Sequence, residues 1–207
     1  MSSGYVPPAL EEANVNNIQR WLRESAEVIA TLADTQSDLI AETAGRIAKS
    51  LAEGNRVYLM GNGGSAADAQ HIAGELINRF LLDRGPLPAL ALTTNSSVIT
   101  SVANDYGFPE IFSKQVAALV KEGDVAWGLS TSGNSPNVVS ALRLAREMGA
   151  VTVGVTGRTG GAMKQYCDYC ICVQSDSTPF IQEAHAVVGH AICDYIERTI
   201  FEGSHYI

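Results

Sequence analysis

Ser130-Thr131-Ser132-Gly133-Asn134-Ser135 packs four hydroxyls and a glycine into one short run. A strand-like stretch over 124–129 precedes it and a helical one over 137–148 follows. Ser135-Pro136 reads as an N-cap followed by proline at the first helical position, where a missing N–H costs nothing. Free amides at that helix start, with the positive end of the helix dipole, suit a phosphate group. No Lys or Arg lies between Lys121 and Arg143, so neutral donors are expected to hold the anion. Taken alone, the same run would also serve as a polar turn before a well-capped helix.

A second turn of this kind tilts the balance. A strand over 56–60 runs into Gly61-Asn62-Gly63-Gly64-Ser65 and then a helix over 66–80. Glycines there let the backbone adopt positive φ and approach a ligand closely. Gly61-x-Gly63-x-x-Ala66 also matches a dinucleotide fingerprint, which requires an acidic residue at the end of the second strand. That strand, over 88–92, runs into Thr93-Thr94-Asn95 and carries no carboxylate. The dinucleotide reading is therefore set aside.

His71 and Glu75 are four residues apart on the helix after the first loop and share a face. Imidazole with carboxylate suits a divalent metal or an acid/base pair. An incidental surface pair is the plainer alternative, but His71 lies less than two turns from the loop. Gln182 and His190 stand on a closing helix over 178–201. A spacing of eight residues is a rise of about 12 Å and about 80° of azimuth. Both reach one ion only if their side chains lean together or the helix starts later than Gln182. His185 reads as a satisfied core histidine, and Glu183 and His205 as surface residues. Cys167-Asp168-Tyr169-Cys170 has half a metal or redox spacing, but no second pair of cysteines accompanies it. A buried strand over 169–173 with thiols as small hydrophobes accounts for it better.

The elements that must position these groups alternate. Apolar spacing near 3.6 predicts two helices, over 14–32 (Ile18, Leu22, Ala26, Ile29, Leu32) and 39–51 (Ile40, Ala44, Ile47, Leu51), with Gly54 just past the end. Strands are predicted over 56–60, 88–92, 124–129, 151–156 and 169–173, with helices between them. Such alternation with continuous apolar strands argues an α/β three-layer sandwich, a parallel sheet with helices on both faces. Five strands favour the order 2-1-3-4-5, which places the two polar loops on either side of the switch point where ligands bind.

Composition excludes several classes. Hydrophobic residues at 46% and charged ones at 17% describe a globular chain, and 207 residues suit one domain. A formal charge of −8 with no basic run disfavours nucleic acid and anionic membranes as partners. The first fifteen residues have no basic residue and no apolar core, and no stretch reaches membrane-spanning length. A cytoplasmic protein is expected.

Taken together, Gly61-Asn-Gly-Gly-Ser65, His71-x-x-x-Glu75, Asn104-Asp105-Tyr-Gly-Phe108, Ser130-Thr-Ser-Gly-Asn-Ser135, Thr156-Gly157 and Gln182-Glu183-x-His185-x-x-x-x-His190 resemble the sugar isomerase (SIS) domain family, most closely its phosphoheptose isomerases. The likeness runs from about residue 17 to 201 and implies a single SIS domain over 1–207: N-terminal helices over 1–54, an α/β core over 55–201 and a tail over 202–207. It implies a sugar site lined by Asn62, Gly63, Gly64, Asn104 and Asp105, with Glu75 and Gln182 also on the substrate. It implies a phosphate held by Ser130, Thr131, Ser132 and Ser135, with Ser65 as helper. It implies one zinc ion per subunit at His71, Glu75, Gln182 and His190, with Glu75 and His190 as the acid/base pair. The implied reaction interconverts sedoheptulose 7-phosphate and D-glycero-D-manno-heptose 7-phosphate, in a homotetramer whose sites draw on more than one subunit. Rival readings are a non-catalytic sugar-phosphate-binding or replication-initiation protein on the same fold, and an isomerase of another sugar phosphate. Retention of both Glu75 and His190 favours the enzyme.

Overall fold

The computed structural model describes residues 12–202, so His205 and all but the first residue of the tail expected over 202–207 lie outside the described residues. A parallel sheet of five strands forms the middle layer, in the order β2-β1-β3-β4-β5. Its strands are β1 (Val57–Gly61), β2 (Ala89–Ala91), β3 (Val125–Ser130), β4 (Val151–Gly157) and β5 (Tyr169–Val173). The helices are α1 (Glu12–Ala52), α2 (Gly64–Ile77), α3 (Ser96–Tyr106), α4 (Ser113–Leu119), α5 (Pro136–Glu147) and α6 (Thr178–Phe201).

Strand alternation divides the core. Val57 and Leu59 of β1 and Val125, Trp127 and Leu129 of β3 point to the side covered by α1, α2 and α6. Tyr58, Met60 and Ala126 point to the opposite side, against α4 and α5. The helix after β1 therefore leaves toward one face and the helix after β3 toward the other. Since β1 and β3 are paired neighbours, with Gly61 beside Leu129, the crevice opens between their two loops.

The N-terminal region departs from expectation. Where two helices were expected, α1 is one helix of 41 residues. The polar stretch over 33–38 contains neither Gly nor Pro. Its hydroxyls bond back into the helix: Thr35 Oγ1 donates to the Thr31 carbonyl and Ser37 Oγ to that of Ala33, each at 2.6 Å. The side chains that would compete with the backbone are thereby satisfied within the helix. The helix ends where expected, with Gly54 at φ +86°. Its C-terminal half is core, with Ala44 and Ile47 fully buried, whereas Ile18 and Leu22 of the expected apolar face are 59% and 63% exposed.

Burial of His185 is complete, yet its ring is not satisfied: among the described residues neither nitrogen makes a hydrogen bond of good geometry. Burial pushes its pKa down to about 4, against a weaker opposing pull from the Thr156 backbone. The unfolded chain, at an ordinary value near 6.5, binds this proton more readily. Stability due to neutral His185 is therefore complete above about pH 6.5 and is lost as pH falls toward about 4, a window worth about 3 kcal/mol. Urea unfolding at about pH 7 and pH 4.5 should show this loss, and His185→Phe should shrink it. An equal acid loss in that variant would refute the assignment.

Candidate active site

The loop over 130–135 is built as a rigid turn. Gly133 sits at φ +67°, and a Cβ there would meet the Gly160 carbonyl, so only glycine fits. From behind, Met163 N donates to the Gly133 carbonyl and Ala162 N to Asn134 Oδ1, each at 2.9 Å. Ser135 occupies the N-cap of α5 and Pro136 follows at the first turn, but the Ser135 hydroxyl makes no capping bond. It pairs with Ser130 Oγ at 2.9 Å instead, which leaves the Asn137 backbone amide at the start of α5 without a side-chain cap, while the Val138 amide donates to Asn137 Oδ1 at 3.0 Å. Ser130 is buried, while Thr131 and Ser132 face a cleft of about 230 Å³. Arg158, on the loop after β4, lines the same cleft and pairs with Asp176 at 3.2 Å. A cation therefore does stand beside these neutral donors, supplied by a different loop from the one inspected in the sequence.

The first loop faces it. Gly63, at φ +55°, precedes α2, which starts at Gly64, two residues earlier than expected, with no side-chain cap and no acidic residue in its first turn. Ser65 is buried in that turn. Asn62 joins the two loops: its amide and that of Asn137 donate to each other at 2.9 and 2.8 Å. Asn137 is 1% exposed and escaped the sequence reading, because nothing in its immediate neighbours marks it.

Beyond the first turn of α2, three candidate groups meet. His71 Nε2 lies 3.0 Å from Glu75 Oε1, and His190 Nε2 lies 3.4 Å from His71 Nε2. Glu75 is the more sheltered of the helix pair, with a quarter of its side chain exposed against half for His71. The ring of Phe80 backs His190 at 5.4 Å. Gln182 occupies another part of the crevice, its amide seated on Gly64 where a Cβ would stand and near the Asp68 carboxyl. Burial pushes the Asp68 carboxyl up, opposed by nearby His71 and by Gln182. Asp68 is a further residue the sequence reading missed; its place one turn before His71 was the available signal. Glu183 bonds α1 through Ser25 Oγ and Trp21 Nε1, in keeping with a structural role.

Asn104 and Asp105 are not brought to this crevice by their own chain. They sit exposed near the end of α3, with Asn104 Nδ2 donating to Asp105 Oδ1 at 2.8 Å. Among the described residues no group of three or more His, Cys, Asp and Glu side chains is spaced to hold an ion as it stands. The converging donors are nonetheless of the types that a divalent ion such as zinc accepts. Two imidazole nitrogens and a carboxylate oxygen are borderline ligands that favour this ion, and two ring nitrogens facing each other need a proton or a cation between them.

The SIS domain family profile matches residues 20–157. A phosphoheptose isomerase of Nitratidesulfovibrio vulgaris is 51% identical over 179 residues, 86% of each chain. One of Aquifex aeolicus is 48% identical over 190 residues, covering 92% of this chain and all of that one. The solved phosphoheptose isomerase of Francisella tularensis superposes with a TM-score of 0.86 at 37% identity, over 89% of this chain and 98% of that one. With the sheet order, the two switch-point loops and these relatives in agreement, the chain belongs to the SIS domain family and, within it, to the phosphoheptose isomerases.

Proposed function

We propose that the crevice between the β1 and β3 loops isomerises sedoheptulose 7-phosphate and D-glycero-D-manno-heptose 7-phosphate, with Glu75 as base and His190 as its partner acid. The observation that carries this reading is the meeting of Glu75, His71 and His190 where α6 meets the helix that follows the β1 loop, a loop joined to the β3 turn through Asn62 and Asn137. Ser130, Thr131, Ser132 and Ser135 hold the phosphate and so fix the far end of the sugar, with Ser65 supporting from the first loop. Gly63, Gly64 and Gln182 line the sugar chain, and Asn62 shapes that wall through its bond to Asn137. Glu75 takes a proton from C1 of the ketose, next to the C2 carbonyl, and returns it to C2. His190 holds the proton that the sugar oxygens exchange as the carbonyl moves from C2 to C1. Both carbons are served from one face, so a single carboxylate does both transfers.

His71, Glu75 and His190 are the residues that would hold zinc, with Gln182 completing the set once its amide leaves Gly64, and the ion would polarise the sugar oxygens. Exposed Ile18 and Leu22, with the apolar groove of about 260 Å³ between α1 and α6, support assembly into a tetramer. Asn104 and Asp105, exposed on α3, then serve the crevice of another subunit. No helix among the described residues is long and apolar enough to cross a membrane, which accords with a cytoplasmic place for this activity.

Protein purified without chelator should turn sedoheptulose 7-phosphate into the aldose, carry about one zinc per chain, and scatter light as a tetramer. Chelation should lower turnover and added zinc restore it. Binding without isomerisation of any sugar phosphate would hand the case to a non-catalytic SIS protein.

A further inference from the structure

Glu75 stands in the last full turn of α2, where helices fray and where the final carbonyls have no partners within the helix. A catalytic base placed there needs an external anchor. The described residues contain one. Arg84 folds back under the helix end, Nη2 donating to the Glu75 carbonyl at 2.9 Å and Nη1 to that of Leu76 at 2.7 Å. Its Nε donates to Glu197 Oε1 at 2.9 Å, with both side chains all but excluded from solvent.

Glu197 gathers three more donors. The amides of Phe80, Leu81 and Leu82 converge on its two oxygens at 2.7–2.9 Å. Burial alone would raise this carboxyl, but those amides and Arg84 outweigh it and hold it below the ordinary carboxylate range. Glu197 lies seven residues after His190, two turns along the same face of α6. The amide it fixes first belongs to Phe80, whose ring backs His190. One buried ion pair thus touches the backbone of Glu75 on one side and the support of His190 on the other.

We infer that Arg84 and Glu197 are positioning residues which set the separation of Glu75 and His190. This rests on the roles given to those two residues above. Neither member reaches the crevice itself. Weakening the pair should misalign proton transfer and leave the phosphate loop, on the other side of the crevice, as it was.

Steady-state kinetics of Arg84→Met and Arg84→Lys, with Glu75→Gln and Val151→Ala assayed alongside, test this. Arg84→Met keeps the three amides on Glu197 and the Leu87 amide on the Leu76 carbonyl, but removes the guanidinium donors to Glu75 and Leu76. We expect its kcat to fall by about 10-fold or more with KM within about two-fold, and Arg84→Lys to recover part of the loss. Val151→Ala, at the far end of β4, lowers the melting temperature without changing kcat and shows what destabilisation alone does. A folded Arg84→Met with parental kcat, beside an inactive Glu75→Gln, overturns the clamp and spares the active-site reading. Parental turnover in Glu75→Gln overturns both. If Arg84→Met does not fold, Phe80→Leu decides: it keeps the clamp's backbone bonds and removes the ring from His190, so its kcat should fall several-fold at constant KM. Unchanged kcat there would refute the link to His190.

Discussion

Glu75→Gln should turn over about 10²–10⁴-fold more slowly than the parent, the usual range for removing one general base. The amide keeps the shape of the side chain and a hydrogen bond to His71 but loses the charge and the basic lone pair. KM should stay close to the parental value, since the phosphate loop is untouched and supplies the charge-assisted contacts. The split matters more than the size: a loss confined to kcat marks an interaction made on the way to the transition state. Coupled detection of the aldose product measures it. Parental turnover would move the base elsewhere, with Asp105 the next carboxylate to test, from a neighbouring subunit.

The second large effect falls on binding. Ser132→Ala with Ser135→Ala removes hydroxyls whose bonds to a phosphate are worth about 1.5–3 kcal/mol each. Losing both should raise KM by up to about 10²–10⁴-fold, an upper bound because neighbouring sites do not add. Ser135 carries a further burden, since its hydroxyl is the partner of Ser130 Oγ at 2.9 Å and its removal leaves that buried hydroxyl without it. kcat at saturation should hold. An unchanged KM in the double variant would mean that the phosphate is held elsewhere, with Arg158 across the cleft the first group to examine.

What could be read from the chain was whatever depends on neighbours in sequence. The strands announced themselves as short apolar runs, and the two loops as clusters of glycine and hydroxyl residues. Sheet order then followed from topology. Continuity of α1 through residues 33–38 was not legible, because a polar stretch looks like a break unless one knows that its hydroxyls turn back onto the preceding turn. Arg158 and Asn137 were missed for a different reason. Each acts on a loop other than its own, and no local pattern encodes that. The clamp is the extreme case: Arg84 and Glu197 are 113 residues apart, and each alone is an ordinary charged residue. Asp68 was hidden only by plainness, being one more acid on a polar helix face.

The paired amides of Asn62 and Asn137 have an evolutionary side. Each uses donor and acceptor on the other, so a change at one position strands a polar group in a nearly closed space. The two codons are thus bound to one another: they can drift only as a pair. Exposed side chains carry no such debt, as at Asn104 and Asp105 on α3. A lineage exploring new sugars is free to vary such exposed positions while the joint between the two loops stays frozen, so substrate range can diversify without the crevice ever coming apart.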